Sequence, residues 1–418
     1  MKHNRIISFA AIMLLTLSGL YAGAQNTLSP YSRFGYGLLN DNATAAQNQM
    51  GGVGYAMRSG RQINAMNPAS YAMTDSLTFL FDMGLDLTNV WSKEGDRSKN
   101  DIGGGLDYIT MQFPVSKRIG MSIGLIPFSS VGYSFGSKID NGSSTYEGTG
   151  GLNLFYLGVA GRIIDGLSVG ANVSYLFGTS YHDVYATTSS ASTSLFEQVL
   201  EVRDFRLQFG AQYSRSFGTS HRVTLGLTYT PAKTMLGHTW IQKYDINSDA
   251  APDTINYTRL KGNYSLPETW GAGVAYEWNS RLTAEADFTY QPWSKAKIMK
   301  NENFMDNSFA NRYKLALGLS YRPAERGGYL RRVTYRIGGH YTRDYMVIAD
   351  ATSRHNVRDF GISCGFGLPT PGQKTVVNLG FEWLHRGTST PGILSENYFN
   401  IRLGVNFNQL WFMKSQLK

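Results

Sequence analysis

Leu167-Ser168-Val169-Gly170-Ala171-Asn172-Val173-Ser174-Tyr175 is the stretch that decides the fold. Its Leu, Val, Ala and Tyr residues fall on one parity and its Ser, Gly and Asn residues on the other. A period of two means a strand with two different faces. The pattern returns along the chain. Val223, Leu225, Leu227 and Tyr229 alternate with Thr224, Gly226, Thr228 and Thr230; Leu282, Ala284, Ala286, Phe288 and Tyr290 alternate with Thr283, Glu285, Asp287 and Thr289; Phe399, Ile401, Leu403, Val405 and Phe407 alternate with Asn400, Arg402, Gly404 and Asn406. Segments of about ten residues with one apolar face, often closed by an aromatic ring, are the pattern of a transmembrane β-barrel.

The spacing predicts strands near 77–91, 103–115, 119–135, 150–163, 167–180, 199–216, 221–243, 255–277, 282–293, 312–322, 332–342, 357–367, 375–385 and 397–408. That is about fourteen, an even number as in bacterial single-chain barrels. Short connections at 116–118, 164–166, 218–220, 279–281, 322–331 and 368–374 alternate with long ones near 92–102, 136–149, 181–198, 244–254, 294–311, 343–356 and 386–396. Strict alternation puts the short turns in the periplasm and the long loops outside. The pair 221–243 and 255–277 is longer than a bilayer needs and reads as a hairpin standing above the outer surface. The competing architecture for such alternation is a soluble sandwich.

Lys2 and Arg5, an apolar run from Ile6 to Leu20 and Ala22-Gly23-Ala24 read as a cleavable secretory signal over residues 1–24; a membrane-anchored helix is the alternative. Past it no long apolar run is left, so only strands can cross a bilayer. The composition agrees, with 46 Gly, 26 Tyr, 22 Phe and only 17% charged residues. Residues 25–75 do not alternate and are rich in Asn, Gly, Ala and Met, which suggests a plug, or hatch, folded inside a barrel over 76–418. The expected class is therefore all-β: an outer-membrane, multi-pass antiparallel barrel with an N-terminal hatch. The lone Cys364 cannot form an intramolecular disulfide.

Three places carry a family resemblance: Asn67-Pro68-Ala69 before the first strand; Gly150-Gly151-Leu152 through Tyr156-Leu157-Gly158 into Leu167–Asn172; and Leu266-Pro267-Glu268-Thr269-Trp270-Gly271 through Asp287 to Trp293-Ser294. In their order and spacing the chain resembles the long-chain fatty-acid transporter family of outer-membrane proteins (FadL/OmpP1/TodX). Ser29-Pro30-Tyr31-Ser32-Arg33 resembles versions from Bacteroidota. The resemblance implies a fourteen-stranded barrel, an N-terminal hatch, and passive uptake of hydrophobic or amphipathic small molecules, released sideways into the membrane at a kinked third strand. Some members with this fold serve as accessory subunits of protein export machines, so a non-transporting scaffold with outer-membrane protein partners is the alternative.

Pro127 lies in the third strand about eight residues past a periplasmic turn, near mid-membrane at about 3.3 Å per residue. Proline has no N–H for the ladder, so the strand should bulge or bend there, making Pro127 and Phe128 the candidate lateral gate. Tyr133, Phe155 and Tyr156 are candidate walls for an apolar ligand or lipid. Asn67, Pro68 and Ala69 can pin the hatch, because Asn turns the backbone and Pro sets φ. Glu285, Asp287, Lys314, Arg336, His340, Glu382 and Arg402 fall on the polar parity. In a narrow bore such charges must pair, which predicts a network of lumen salt bridges holding the hatch.

Nothing points to catalysis. G-x-S-x-G occurs at Gly120–Gly124, Gly132–Gly136, Gly166–Gly170 and Gly361–Gly365, but in strand or hairpin patterns rather than at a strand-to-helix elbow. No metal-site spacing, cofactor motif or phosphate loop is present. The net charge is +9, or +7 after loss of residues 1–24, and its basic residues are dispersed, which argues against nucleic acid.

Overall fold

The computed structural model describes residues 29–139, 142–188, 193–236, 238–246, 253–260, 264–296, 309–349, 353–371, 375–390 and 392–410. The expected signal over 1–24 lies outside them. Fourteen antiparallel strands form the wall: β1 Thr78–Glu94, β2 Arg97–Pro114, β3 Ile119–Ile139, β4 Gly142–Ile164, β5 Leu167–Thr188, β6 Thr193–Phe217 and β7 His221–Thr230, then β8 Thr269–Trp278, β9 Leu282–Gln291, β10 Arg312–Tyr321, β11 Thr334–Ala349, β12 Arg354–Pro369, β13 Thr375–Gly387 and β14 Ser395–Leu410. Each pairs with its sequence neighbour, β7 with β8 across the long insertion between them, and β14 closes on β1 from Ser395↔Lys93 to Leu410↔Thr78.

The two parities separate as the pattern requires. On β5, Val173 is 50% exposed on the outer face while Ser168 is fully buried toward the bore. The outer belt of Leu, Val, Phe and Trp side chains is therefore the lipid-facing surface, and the core lies inside the barrel.

The outer connections differ from expectation. The described residues within 92–102, 136–149, 181–198 and 343–356 continue largely as paired strand. In these outer stretches the apolar alternation ends while backbone pairing continues. The expected long strands 221–243 and 255–277 are broken near Pro231 and Pro267, where the missing N–H ends the ladder. The outer hairpin is instead His238–Ile246 with Asp253–Leu260, and its first strand pairs with Thr193–Glu201 at the top of β6.

The described part of the hatch runs through the bore from Ser29 to near Leu77. It contains a 3₁₀ turn at Pro30–Arg33, a two-residue strand at Leu38–Leu39, one helical turn at Ala45–Asn48 and a 3₁₀ helix at Pro68–Met73. It presses directly on the wall, made possible by inward-facing glycines. A Cβ at Gly120 would overlap the Tyr71 carbonyl oxygen, and one at Gly226 the Tyr55 carbonyl oxygen. Above that level, Tyr31, Phe34 and Tyr36 pack with Phe128, Trp293 and Tyr345 into an apolar cap.

Candidate functional site: a locked hatch beside a parted strand

Polar hatch backbone buried in the bore must find partners, and the inward parity of the wall supplies them. Asp287 accepts from the amides of Gly54 (2.6 Å) and Tyr55 (2.9 Å), and Glu285 from Ala56 (3.1 Å). Gln212 donates to the carbonyls of Tyr55 and Met57, each at 3.0 Å, and Arg336 to Gln49 Oε1 at 2.8 Å. Asp41 on the hatch accepts from Arg312 Nη2 (2.9 Å) and Lys314 Nζ (2.6 Å) on β10. Burial raises the Asp41 pKa, but the two adjacent cations outweigh it and hold the carboxyl well below the usual range.

Asn67 is fully buried. It caps the 3₁₀ helix by accepting from Ala69 N at 3.1 Å and donates to Tyr55 O at 2.7 Å, so one side chain joins two hatch passes. Pro68 abuts Gly170 and Gly210 of the wall.

The inward charges are connected differently from a mutual ladder. Glu382 meets Arg402 at 2.7 Å, with His340 at 3.7 Å. Lys314 takes its acid from the hatch, and Glu285 and Asp287 hold hatch amides rather than cations. Sequence reading missed Asp41, because its segment has no periodicity, and Arg312, although it shares the Lys314 parity. It also missed the buried bidentate pair Arg386–Asp359 at 2.8 and 2.9 Å.

The wall parts at β3. Gly120–Leu125 pair with Pro114–Ile109 of β2; above them β2 continues against β1 alone. On its other side β3 skips register between Pro127↔Asn153 and Ser129↔Leu152, leaving Phe128 as the extra residue of a bulge. The hatch takes over the vacated edge. Leu38 and Leu39 pair with Ser130 and Ser129, Asn40 N donates to Phe128 O at 2.9 Å, and Ser29 N to Gly132 O at 2.8 Å. Between hatch and β3 is a cavity of about 70 Å³ touched by Leu39, Asp41, Phe128, Leu154 and Arg206. The Arg206 guanidinium stands 5.2 Å from the Phe128 ring centre.

The three aromatic candidates are not brought together. Tyr133 is buried and bonds His182 Nδ1 at 2.8 Å, while Tyr156 meets Ser122 Oγ at 3.0 Å in a cluster with Tyr71 and Tyr108 and also lines the small cavity beside Phe128. Phe155 is a correction: it is 45% exposed on the lipid face and cannot line the interior, because its neighbour Tyr156 occupies the inward parity.

Solved structures share this fold. A Pseudomonas aeruginosa FadL homologue superposes with a TM-score of 0.60 at 13% identity, covering 88% of this chain and 99% of that one. The P. putida toluene transporter TodX gives 0.59 at 15% identity, over 90% of this chain and 100% of that one. The CymD monoaromatic hydrocarbon channel gives 0.56 at 14%, over 90% and 99%. At these identities the likeness is one of fold. No curated protein matches the chain. A family model described as BamG matches residues 4–418.

Proposed function

The chain belongs to the BamG family, and on that footing we propose that it is a sealed outer-membrane barrel serving as a structural subunit of an outer-membrane protein assembly or secretion complex. In this reading residues 1–24 direct export, 25–75 are the hatch and 76–418 the wall. The observation that carries it is the lock, in which carboxylates and cations of the bore are committed to the hatch, with Asp41 held by Arg312 and Lys314, and Asp287 by two hatch amides. Apolar cargo needs an apolar path. The cavity beside Phe128 has about 70 Å³, below the ~150 Å³ of a dry cavity that holds benzene. The test is extraction of the full chain in mild detergent followed by mass spectrometry of what it retains. Polypeptides in fixed ratio are expected; retained acyl lipid without polypeptides would overturn the reading.

A second reading is uptake of hydrophobic or amphipathic small molecules with lateral release, favoured by the parting of β2 and β3 beside Pro127. The two diverge on Pro127→Ala. For a sealed subunit, substitution leaves the barrel folded and the movement of a fluorescent fatty acid into proteoliposomes at background, as in the parent. Parental uptake that Pro127→Ala slows would favour the gate.

A further inference from the structure

A cavity of about 520 Å³ lies below the hatch at the end of the short turns, which is the periplasmic mouth. Its lining includes seven arginines, four carboxylates and no aromatic ring. Three of the carboxylates are already paired: Arg61–Asp75 at 3.5 Å, Arg222–Glu277 at 3.6 Å and Arg322–Glu325 at 2.9 Å. The fourth, Glu285, is turned to the Ala56 amide. Arg58, Arg281, Arg332 and Arg336 are left without an ion pair among the described residues.

These four come from different parts of the molecule. Arg58 is on the hatch and donates to Gly166 O at 2.6 Å, with its Nε buried and unbonded. Arg281 lies in the β8–β9 turn. Arg332 ends the β10–β11 connection, stacked at 5.7 Å over Tyr329, and its Nε is also buried and unbonded. Arg336 donates to two amide oxygens, of Gln49 at 2.8 Å and of Asn378 at 2.9 Å. Burial, then the neighbouring Arg162 and Arg222, pushes the Arg58 pKa down to about 10, still charged at neutral pH. Guanidinium forks match carboxylates in pairs of parallel hydrogen bonds.

We propose that this mouth is a docking site for an acidic polypeptide segment that presents several carboxylates to the unpaired arginines from the periplasm. The chemistry is wrong for hydrocarbon and the site is too large for one small anion, having room for on the order of 17 waters at ~30 Å³ each. The arginines come from the hatch, the β8–β9 turn, the β10–β11 connection and β11, which suits carboxylates spaced along an extended chain. It opens to the periplasmic water rather than to lipid. The inference rests on the subunit reading only for the source of that segment.

The test is fluorescence anisotropy of a labelled octaglutamate peptide with the full chain in detergent. Salt-sensitive binding is expected, and at least about a tenfold loss in affinity in Arg281→Glu/Arg332→Glu, since close charge pairs across interfaces contribute on this scale. The milder Arg281→Gln/Arg332→Gln pair should lose less, and heat-modifiable gel mobility reports that each variant folds. Undiminished binding in both pairs, or displacement of the peptide by an equal concentration of inorganic phosphate, would overturn the proposal. Peptide binding without co-purifying polypeptides would remove the subunit reading and leave the site. Co-purification with no peptide binding would do the reverse.

Discussion

Asp41→Ala should turn a silent barrel into one that opens intermittently. Lys314 loses its one carboxylate among the described residues, and Arg312 keeps only Asp344 at 4.0 Å. Removing one member of a buried ion pair leaves uncompensated charge and costs about 3–5 kcal/mol. Even about 3 kcal/mol, all of it falling on the closed hatch, shifts the closed-to-open ratio by about two orders of magnitude. The measurement is single-channel conductance in planar bilayers, where the parent should stay closed and Asp41→Ala should flicker. A variant as silent as its parent would remove Asp41 from the lock. The pH dependence follows from the same contact. Asp41 has a lowered pKa in the folded hatch, so its contribution is complete above its unfolded value of about 3.9 and is lost only as pH falls through the lower folded value. Acidifying the parent from pH 7 to about 4 should therefore not open it through this group.

Gly120→Val combined with Gly226→Val should expel the hatch while leaving the wall intact. Each new side chain meets hatch backbone, at Tyr71 and Tyr55, which cannot swing aside as a side-chain tip could. Overpacking typically costs about 1–3 kcal/mol per site, and the two contacts involve separate parts of the hatch, so the costs should add. Trypsin should then cut at Arg58 or Arg61, while heat-modifiable mobility still reports a closed barrel. Gly161→Val is the control, because nothing lies within 4 Å of a Cβ there. Equal protease resistance in the double variant and the control would mean that direct contact with the wall does not hold the hatch.

Much of this could be read before any coordinates. Period-two segments such as Leu167–Tyr175 reveal both faces of a strand at once, and short turns such as Ile164-Asp165-Gly166 and Asn279-Ser280-Arg281 were legible because Gly or Asn punctuates them. The outer halves of β1 to β6 were harder: Arg97-Ser98-Lys99-Asn100-Asp101 has no apolar face to betray it, yet it pairs with β1. Within the site, inward parity pointed to Glu285, Asp287, Lys314 and Glu382, but parity assigns a face and not a partner. Asp41, the thirteenth residue of the described hatch and part of no regular pattern, became visible only when β10 was brought beside it.

The order of apolar and polar residues was enough for an all-β wall of fourteen strands with greasy flanks outward, because a bilayer tolerates no unpaired backbone and a pleat turns alternate side chains to opposite sides. Closure, the parting of β3 from β2, and the capture of the hatch by Arg312, Lys314 and Asp287 belong to the tertiary level. They depend on groups hundreds of residues apart meeting in one bore, and no local periodicity encodes which buried charge will face which.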